Sequence, residues 1–292
     1  MIRNKHKDRL FRFIFGNEER KDITLSLYNA LNGTNYTNPD DIEVNTLDDA
    51  IYMSMKNDLS FIISDTVNVY EHQSTYNPNM PLRLLEYTTA LYEKILKQKK
   101  VNKYGSSLIR LPTPKLVVFY NGEAEADDKI ILRLSDSYTG NKPPDIEVSV
   151  TMYNINFGHN QDIMNQCLPL EGYAWFVCEY RRLSVIMKPE EAVRRIISNM
   201  PEQYRLKELL QANQAEVMDM WLTEYDEKET MQMFKEEGRT EGRAEGRAEG
   251  KIEGDHDARI SICLNLLKEG MDPPVISRLT GIREEEIRKL SV

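Results

Sequence analysis

Cysteine is scarce in this chain, and the scarcity excludes a good deal. The three cysteines, Cys167, Cys178 and Cys263, stand far apart and are odd in number. That pattern supports neither a disulfide framework nor a Cys-based zinc site, and it fits a reducing, cytoplasmic setting. Histidine is sparse too. His6, His72, His159 and His256 are scattered, which argues against a His-rich zinc centre. No apolar run approaches the length of a membrane span, and nothing behind the polar start Met-Ile-Arg-Asn-Lys-His-Lys-Asp resembles a secretion signal. A soluble protein with no membrane partner is expected. Positive charge is in the minority, with 38 Lys and Arg against 47 Asp and Glu and a net charge of −9. A field of that sign does not draw in nucleic acid, so any such contact must come from local patches. Two catalytic signatures are missing. The glycines of a C-terminal repeat lack the Lys-Ser/Thr ending of a phosphate-cradling loop, and there is no Gly-x-Ser-x-Gly elbow.

What is present centres on residues 56–74. Leu59 to Ser64 is rich in β-branched and aromatic residues, Ser64-Asp65-Thr66 supplies turn chemistry, and Val67 to Gln73 resumes the strand pattern. Strand side chains alternate, so Val67, Val69, Glu71 and Gln73 share a face. A hairpin turning at Asp65 brings Asp58, just ahead of the first strand, to the rim where Glu71 emerges from the second. Two carboxylates converging there suit a hard divalent cation. Magnesium takes one or two carboxylates, keeps several waters and completes its shell with substrate phosphate. Gln73 would sit beside the ion and hold the attacking water. The plainer reading stays open at this point: an exposed strand glutamate and a turn-capping aspartate.

The string Asn57-Asp58-Leu59-Ser60-Phe61, then Glu71-His72-Gln73-Ser74-Thr75, then Asn79-Met80-Pro81-Leu82-Arg83 resembles the PD-(D/E)XK nuclease superfamily. Within it, the string resembles the transposase-like, recombination-promoting nucleases (the Rpn family). Leu111-Pro112-Thr113-Pro114 and Tyr153-Asn154-Ile155-Asn156-Phe157-Gly158-His159-Asn160 are similar to that family as well, so the likeness spans residues 4–185. The resemblance implies an α/β, restriction-endonuclease-like core, a mixed sheet flanked by helices. It also implies a metal-dependent endonuclease that hydrolyses phosphodiester bonds in double-stranded DNA, linked to recombination. Asp58 and Glu71 would hold Mg2+, or another divalent cation such as Mn2+ or Ca2+, and Asp58, Glu71 and Gln73 would be the catalytic set. Gln73 stands where the family has a lysine. It can orient water but carries no charge and cannot act as a base. Asp8 falls where a first-helix acid can join the site; its alternative is pairing with neighbouring Lys and Arg. Arg83 falls on the family's helix position and is expected to contact phosphate.

The remaining chain reads in order. Helices are expected over 6–31, broken at Gly16-Asn17 and ended at Asn32-Gly33. Residues 50–55 form a candidate strand leading into the hairpin. Pro81 opens a helix to about residue 100, with Arg83 and Tyr87 on one face. Lys97 and Lys100 belong to a basic cluster at its end, read either as DNA contacts or as a solvated helix C-terminus. Residues 115–122 suit a strand buried on both faces, paired parallel to the hairpin. Residues 146–155 make another strand and 168–183 a helix. The boundaries expected are a nuclease-like domain over 1–185, a helical region over 186–235, a Glu-Gly-Arg repeat over 236–254 and a small helical segment over 255–292, the last three forming an all-helical extension. The repeat has period four. Its stripe of small residues and its opposed Glu and Arg flanks predict a parallel homodimer or higher homo-oligomer, the alternative being a charged linker. A rival function from another class is a weakly active or inactive scaffold that binds DNA or protein partners and self-associates through that repeat.

Overall fold

A computed structural model describes residues 9–45, 58–140, 142–221 and 257–290, with the single positions 239, 243 and 254. The candidate strand 50–55, Asp8 and nearly all of the Glu-Gly-Arg repeat lie outside the described residues. The chain divides into two units, Met1–Tyr225 and Asp226–Val292.

In the first unit, six strands form one open sheet: β1 (Glu43–Val44), β2 (Leu59–Ile63), β3 (Thr66–Gln73), β4 (Thr113–Tyr120), β5 (Lys129–Arg133) and β6 (Ser149–Asn154). Their spatial order is β1-β2-β3-β4-β6-β5. The expected hairpin is present, with Leu59 opposite Tyr70 and Ile63 opposite Thr66. Ser64 makes the turn at φ +52°, a left-handed backbone that a short polar residue tolerates. β4 lies parallel to β3, and β6 parallel to β4. The other pairings are antiparallel, so the sheet is mixed and the fold is α/β. The strand that pairs with β2 from outside is the two-residue β1. β5 has no counterpart in the sequence reading. It is an edge strand whose one buried residue is Leu132, so no hydrophobic alternation announces it.

Helices cover both faces. α1 (Arg9–Phe15) and α2 (Lys21–Asn32) precede the sheet, and α3 (Met80–Gln98) crosses from β3 to β4. α4 (Gln161–Gln166) and α5 (Leu168–Leu183) follow β6. On one face, Met80, Leu84, Tyr87 and Leu91 of α3 pack on Val67, Val69, Val118 and Tyr120. On the other, Phe11, Phe15 and Phe176 pack with Phe61, Tyr70 and Phe119. β4 is buried on both faces because neighbouring residues serve opposite cores. α6 (Pro189–Asn199), α7 (Lys207–Ala212) and the helical residues 214–221 continue the second core. Trp221 lies 5.0 Å from Phe176 and 4.9 Å from Tyr180, ring to ring. Gly172 is required there: a Cβ would stand 2.7 Å from that of Tyr204.

The second unit has its own small core of Cys263, Ile276, Ile282 and Ile287. Its helices span 257–268, Pro273–Thr280 and Glu284–Leu290, as the Pro and Gly punctuation predicts. No described helix is long and apolar enough to cross a membrane.

Candidate active site

The register of the hairpin places Asp58 one step beyond Leu59, opposite Glu71. The two residues then brace each other. The Asp58 N–H donates to Glu71 Oε2 at 3.2 Å, and the His72 N–H donates to Asp58 Oδ2 at 2.8 Å. Each carboxylate is thereby aimed by the other strand's backbone, and both are brought to the same rim. Glu71 is buried and Asp58 is half-buried. Gln73, also buried, follows Glu71 on the same face by strand alternation. The end of α1 approaches closely. Gly16 sits where a Cβ would meet the Arg12 carbonyl at 2.8 Å and the Asp58 carbonyl at 3.5 Å.

Arg83, on the first turn of α3, closes the arrangement. Its Nη2 donates to Glu71 Oε1 at 2.7 Å and to the Tyr87 hydroxyl at 3.0 Å. The side chains of Arg83 and Glu71 are 35% and 4% exposed. Burial acts most strongly on the guanidinium and pushes its pKa down, but Glu71, Tyr87 and Asp58 more than offset this and hold it above the ordinary value. Burial, then the Glu71 charge, pushes the Tyr87 phenol up. Helical spacing puts Tyr87 on the same face as Arg83 but assigns it no part. The structure makes it the second partner of the arginine.

His72 faces the other way, as alternation requires. It is buried and hydrogen-bonded through Nε2 to the Tyr173 hydroxyl of α5 at 3.1 Å. The Phe11 ring lies 5.1 Å from it. This packing fixes the β3 backbone, whose N–H at residue 72 holds Asp58.

The neighbouring strand ends are polar. Arg181 donates to the Asn121 carbonyl at 2.6 Å and to Asn156 Oδ1 at 2.8 Å. Asn156 and Asn160 also bond back across the ends of β4 and β6. The chain leaves β3 for α3 on one face and leaves β6 for α4 and α5 on the other. In open α/β sheets, a crevice forms at the carboxyl ends of strands where such a reversal occurs. Glu71 and Gln73 close β3 at that end. The sequence reading missed Arg181 and Asn121; the Asn-x-Asn at 154 and 156, at a strand terminus, was the available signal. On the β5 side, a cleft of about 780 Å³ is lined by Glu125, Asp127, Asp128 and His159, an acidic setting that repels phosphate.

Comparison with family models, with curated proteins and with solved structures found no match. The structure brings together Asp58, Glu71 and Arg83, with Gln73 beside them in sequence. Lys97 and Lys100 are not brought there. α3 runs back along the sheet, and about 1.5 Å of rise per residue puts them roughly 21 and 25 Å beyond Arg83. Among the described residues, no group of three or more His, Cys, Asp or Glu comes together for a metal. The donor set at the rim is two carboxylates with the Gln73 amide nearby. That set fits a hard cation whose remaining positions are filled by water and phosphate, and it does not fit zinc.

Proposed function

We propose that this rim is the reacting site of a magnesium-dependent endodeoxyribonuclease of the PD-(D/E)XK kind, tied to recombination and acting on double-stranded DNA. One observation supports the reading: the reciprocal bonds between Asp58, Glu71 and His72 hold two acidic side chains next to each other at one rim of the sheet. A divalent cation bound there supplies Lewis acidity and a lowered pKa for bound water. Asp58 and Glu71 contribute the oxygen ligands. Gln73 orients the water by hydrogen bonding without taking its proton. Arg83 pairs with Glu71 and offers its guanidinium to an incoming phosphate.

A second reading is supported by that same ion pair. Glu71 already has a cationic partner, so the buried carboxylate of the rim is matched by a charge of the chain's own, as a non-catalytic scaffold would need. Supercoiled plasmid incubated with Mg2+ or Mn2+ separates the two. The hydrolase reading expects nicking by the wild type and at least about a hundredfold slower nicking by Asp58→Asn and Glu71→Gln. Equal rates in all three proteins, or no cleavage by any of them, leave the scaffold.

A further inference from the structure

The far end of α3 and the loop after it are strongly basic. Between residues 94 and 115 there are seven Lys or Arg and no Asp or Glu, in a chain of net charge −9. Lys99, Lys100, Lys103, Arg110 and Lys115 are all exposed. The loop that carries them has a defined path. Lys100 adopts φ +53°, and the Val101 N–H bonds to the Leu96 carbonyl at 2.9 Å, a helix-ending motif. The Tyr104 N–H bonds to Asn102 Oδ1 at 3.0 Å, an Asx turn. The Tyr92 hydroxyl ties the returning leg at the Pro112 carbonyl, 2.8 Å away. At the crest of this loop, Tyr104 is 86% exposed and Leu108 85% exposed. Holding an aromatic ring in water on a hydrogen-bonded turn, among cations, contributes nothing to folding. Glu93 of α3 pairs with Lys103 at 3.7 Å. The Lys103 ammonium also lies 5.7 Å from the Tyr104 ring centroid.

We propose that this loop, residues 99–111 with Lys115, is a binding surface for an unpaired strand of nucleic acid. Phosphates sit on Lys99, Lys100 and Lys103, and a base stacks on Tyr104. Strand-binding surfaces combine a cationic track with aromatic platforms, and every base offers a face to such a ring. A fully paired duplex hides those faces, which leaves the exposed ring unused. The surface lies about 25 Å along α3 from Arg83. It is therefore an anchoring site separate from the carboxylate rim, and it does not depend on the hydrolase reading.

The test is fluorescence anisotropy on the full chain, in EDTA so that no cleavage enters. The probes are labelled (dT)20 and a 20-base-pair duplex. The strand is expected to bind more tightly than the duplex. Tyr104→Ala should weaken strand binding by between about fivefold and a hundredfold, and Tyr104→Trp should keep it. Replacing Lys99, Lys100 and Lys103 together by Ala should flatten the salt dependence of log affinity by about two, near 0.7 per strand phosphate. Thermal melts of the variants should stay close to the wild type, with only a small loss, because the residues are exposed. Wild-type affinity for (dT)20 in both variants overturns the proposal. So does capture by phosphatidylserine vesicles without strand binding, which would make the loop a membrane-surface element. Failure of plasmid cleavage leaves this result standing, and loss of strand binding leaves the rim chemistry standing.

Discussion

At the first turn of α3, Arg83 is held between Glu71 and Tyr87. Past its last turn, Lys99 and Lys100 lie at the surface and lead into a loop with no acids. One helix thus carries cations at both ends under opposite conditions. The arginine has lost much of its water and is matched to a carboxylate in fixed geometry, where its removal takes the paired cation from a buried charge. The lysines keep their water and gain little from the fold, so they are left for a partner. What distinguishes a site from a patch here is the carboxylate on the neighbouring strand, which the helix charge alone does not reveal.

The comparison breaks most visibly at the rim. Asp58→Asn and Glu71→Gln should lower metal-dependent nicking at least about a hundredfold, whereas removing Lys99 or Lys100 should leave the rate of a saturated reaction within a few-fold. Next in size is Arg83→Ala, which leaves Glu71 buried without that partner. A loss on the order of 2 kcal/mol of unfolding free energy is expected in urea. The same change removes a competitor for the carboxylate, so added Mg2+ should raise the melting temperature of Arg83→Ala more than that of the wild type. An unaltered response to Mg2+ would mean that Arg83 does not guard the rim.

The hairpin was legible because its signals are local: β-branched runs, a polar two-residue turn, and alternation that puts Glu71 and Gln73 on one face. The register followed, since turning at Asp65 forces residue 58 opposite residue 71. α3 was legible from its apolar spacing and Pro81, and β4 from its continuous run. Other features needed the third dimension. The sequence places Arg83 near the site but cannot show that its guanidinium rests on Glu71 instead of facing outward. Lys97 and Lys100 look close to Arg83 along the chain, yet a helix of 19 residues carries them to the opposite end of the sheet. Residues 189–221 read as a charged extension because their apolar positions are outnumbered. Folded, Val193, Ile196, Leu210 and Trp221 complete the core beneath α5. Their partners lie on other elements, so local periodicity gives their burial without giving its address.

A smaller effect sharpens the buried end. Tyr87→Phe keeps the ring in its core and removes the hydroxyl that accepts from Arg83. At neutral pH the cost should be about 1 kcal/mol. The phenol's pKa is raised in the fold, by burial first and by Glu71 next. The unfolded phenol, with a pKa of about 10, ionises before the folded one does. The stability that Tyr87 contributes is therefore fully present below that value and is lost as pH rises through the folded pKa. Stability of Tyr87→Phe and wild type should converge with rising pH above about 10, measured by urea melts across that range. A constant gap would show that the hydroxyl's environment is not set by Glu71 and burial.

The smallest expected effect belongs to the exposed end, and its smallness is the prediction. Lys99→Ala with Lys100→Ala removes two charges from a helix C-terminus, where the backbone dipole favours them by a few tenths of a kcal/mol each. Lys100 sits at φ +53°, a conformation that alanine adopts no more readily than lysine, so no relief of strain hides the loss. The double variant should change unfolding free energy by less than about 1 kcal/mol, with the sign destabilising, and 1 M salt should reduce the difference further. A loss as large as that of Arg83→Ala would mean that the lysines are committed to the fold. The two ends of α3 would then be alike, and the loop beyond would have no cations to spare for a nucleic-acid strand.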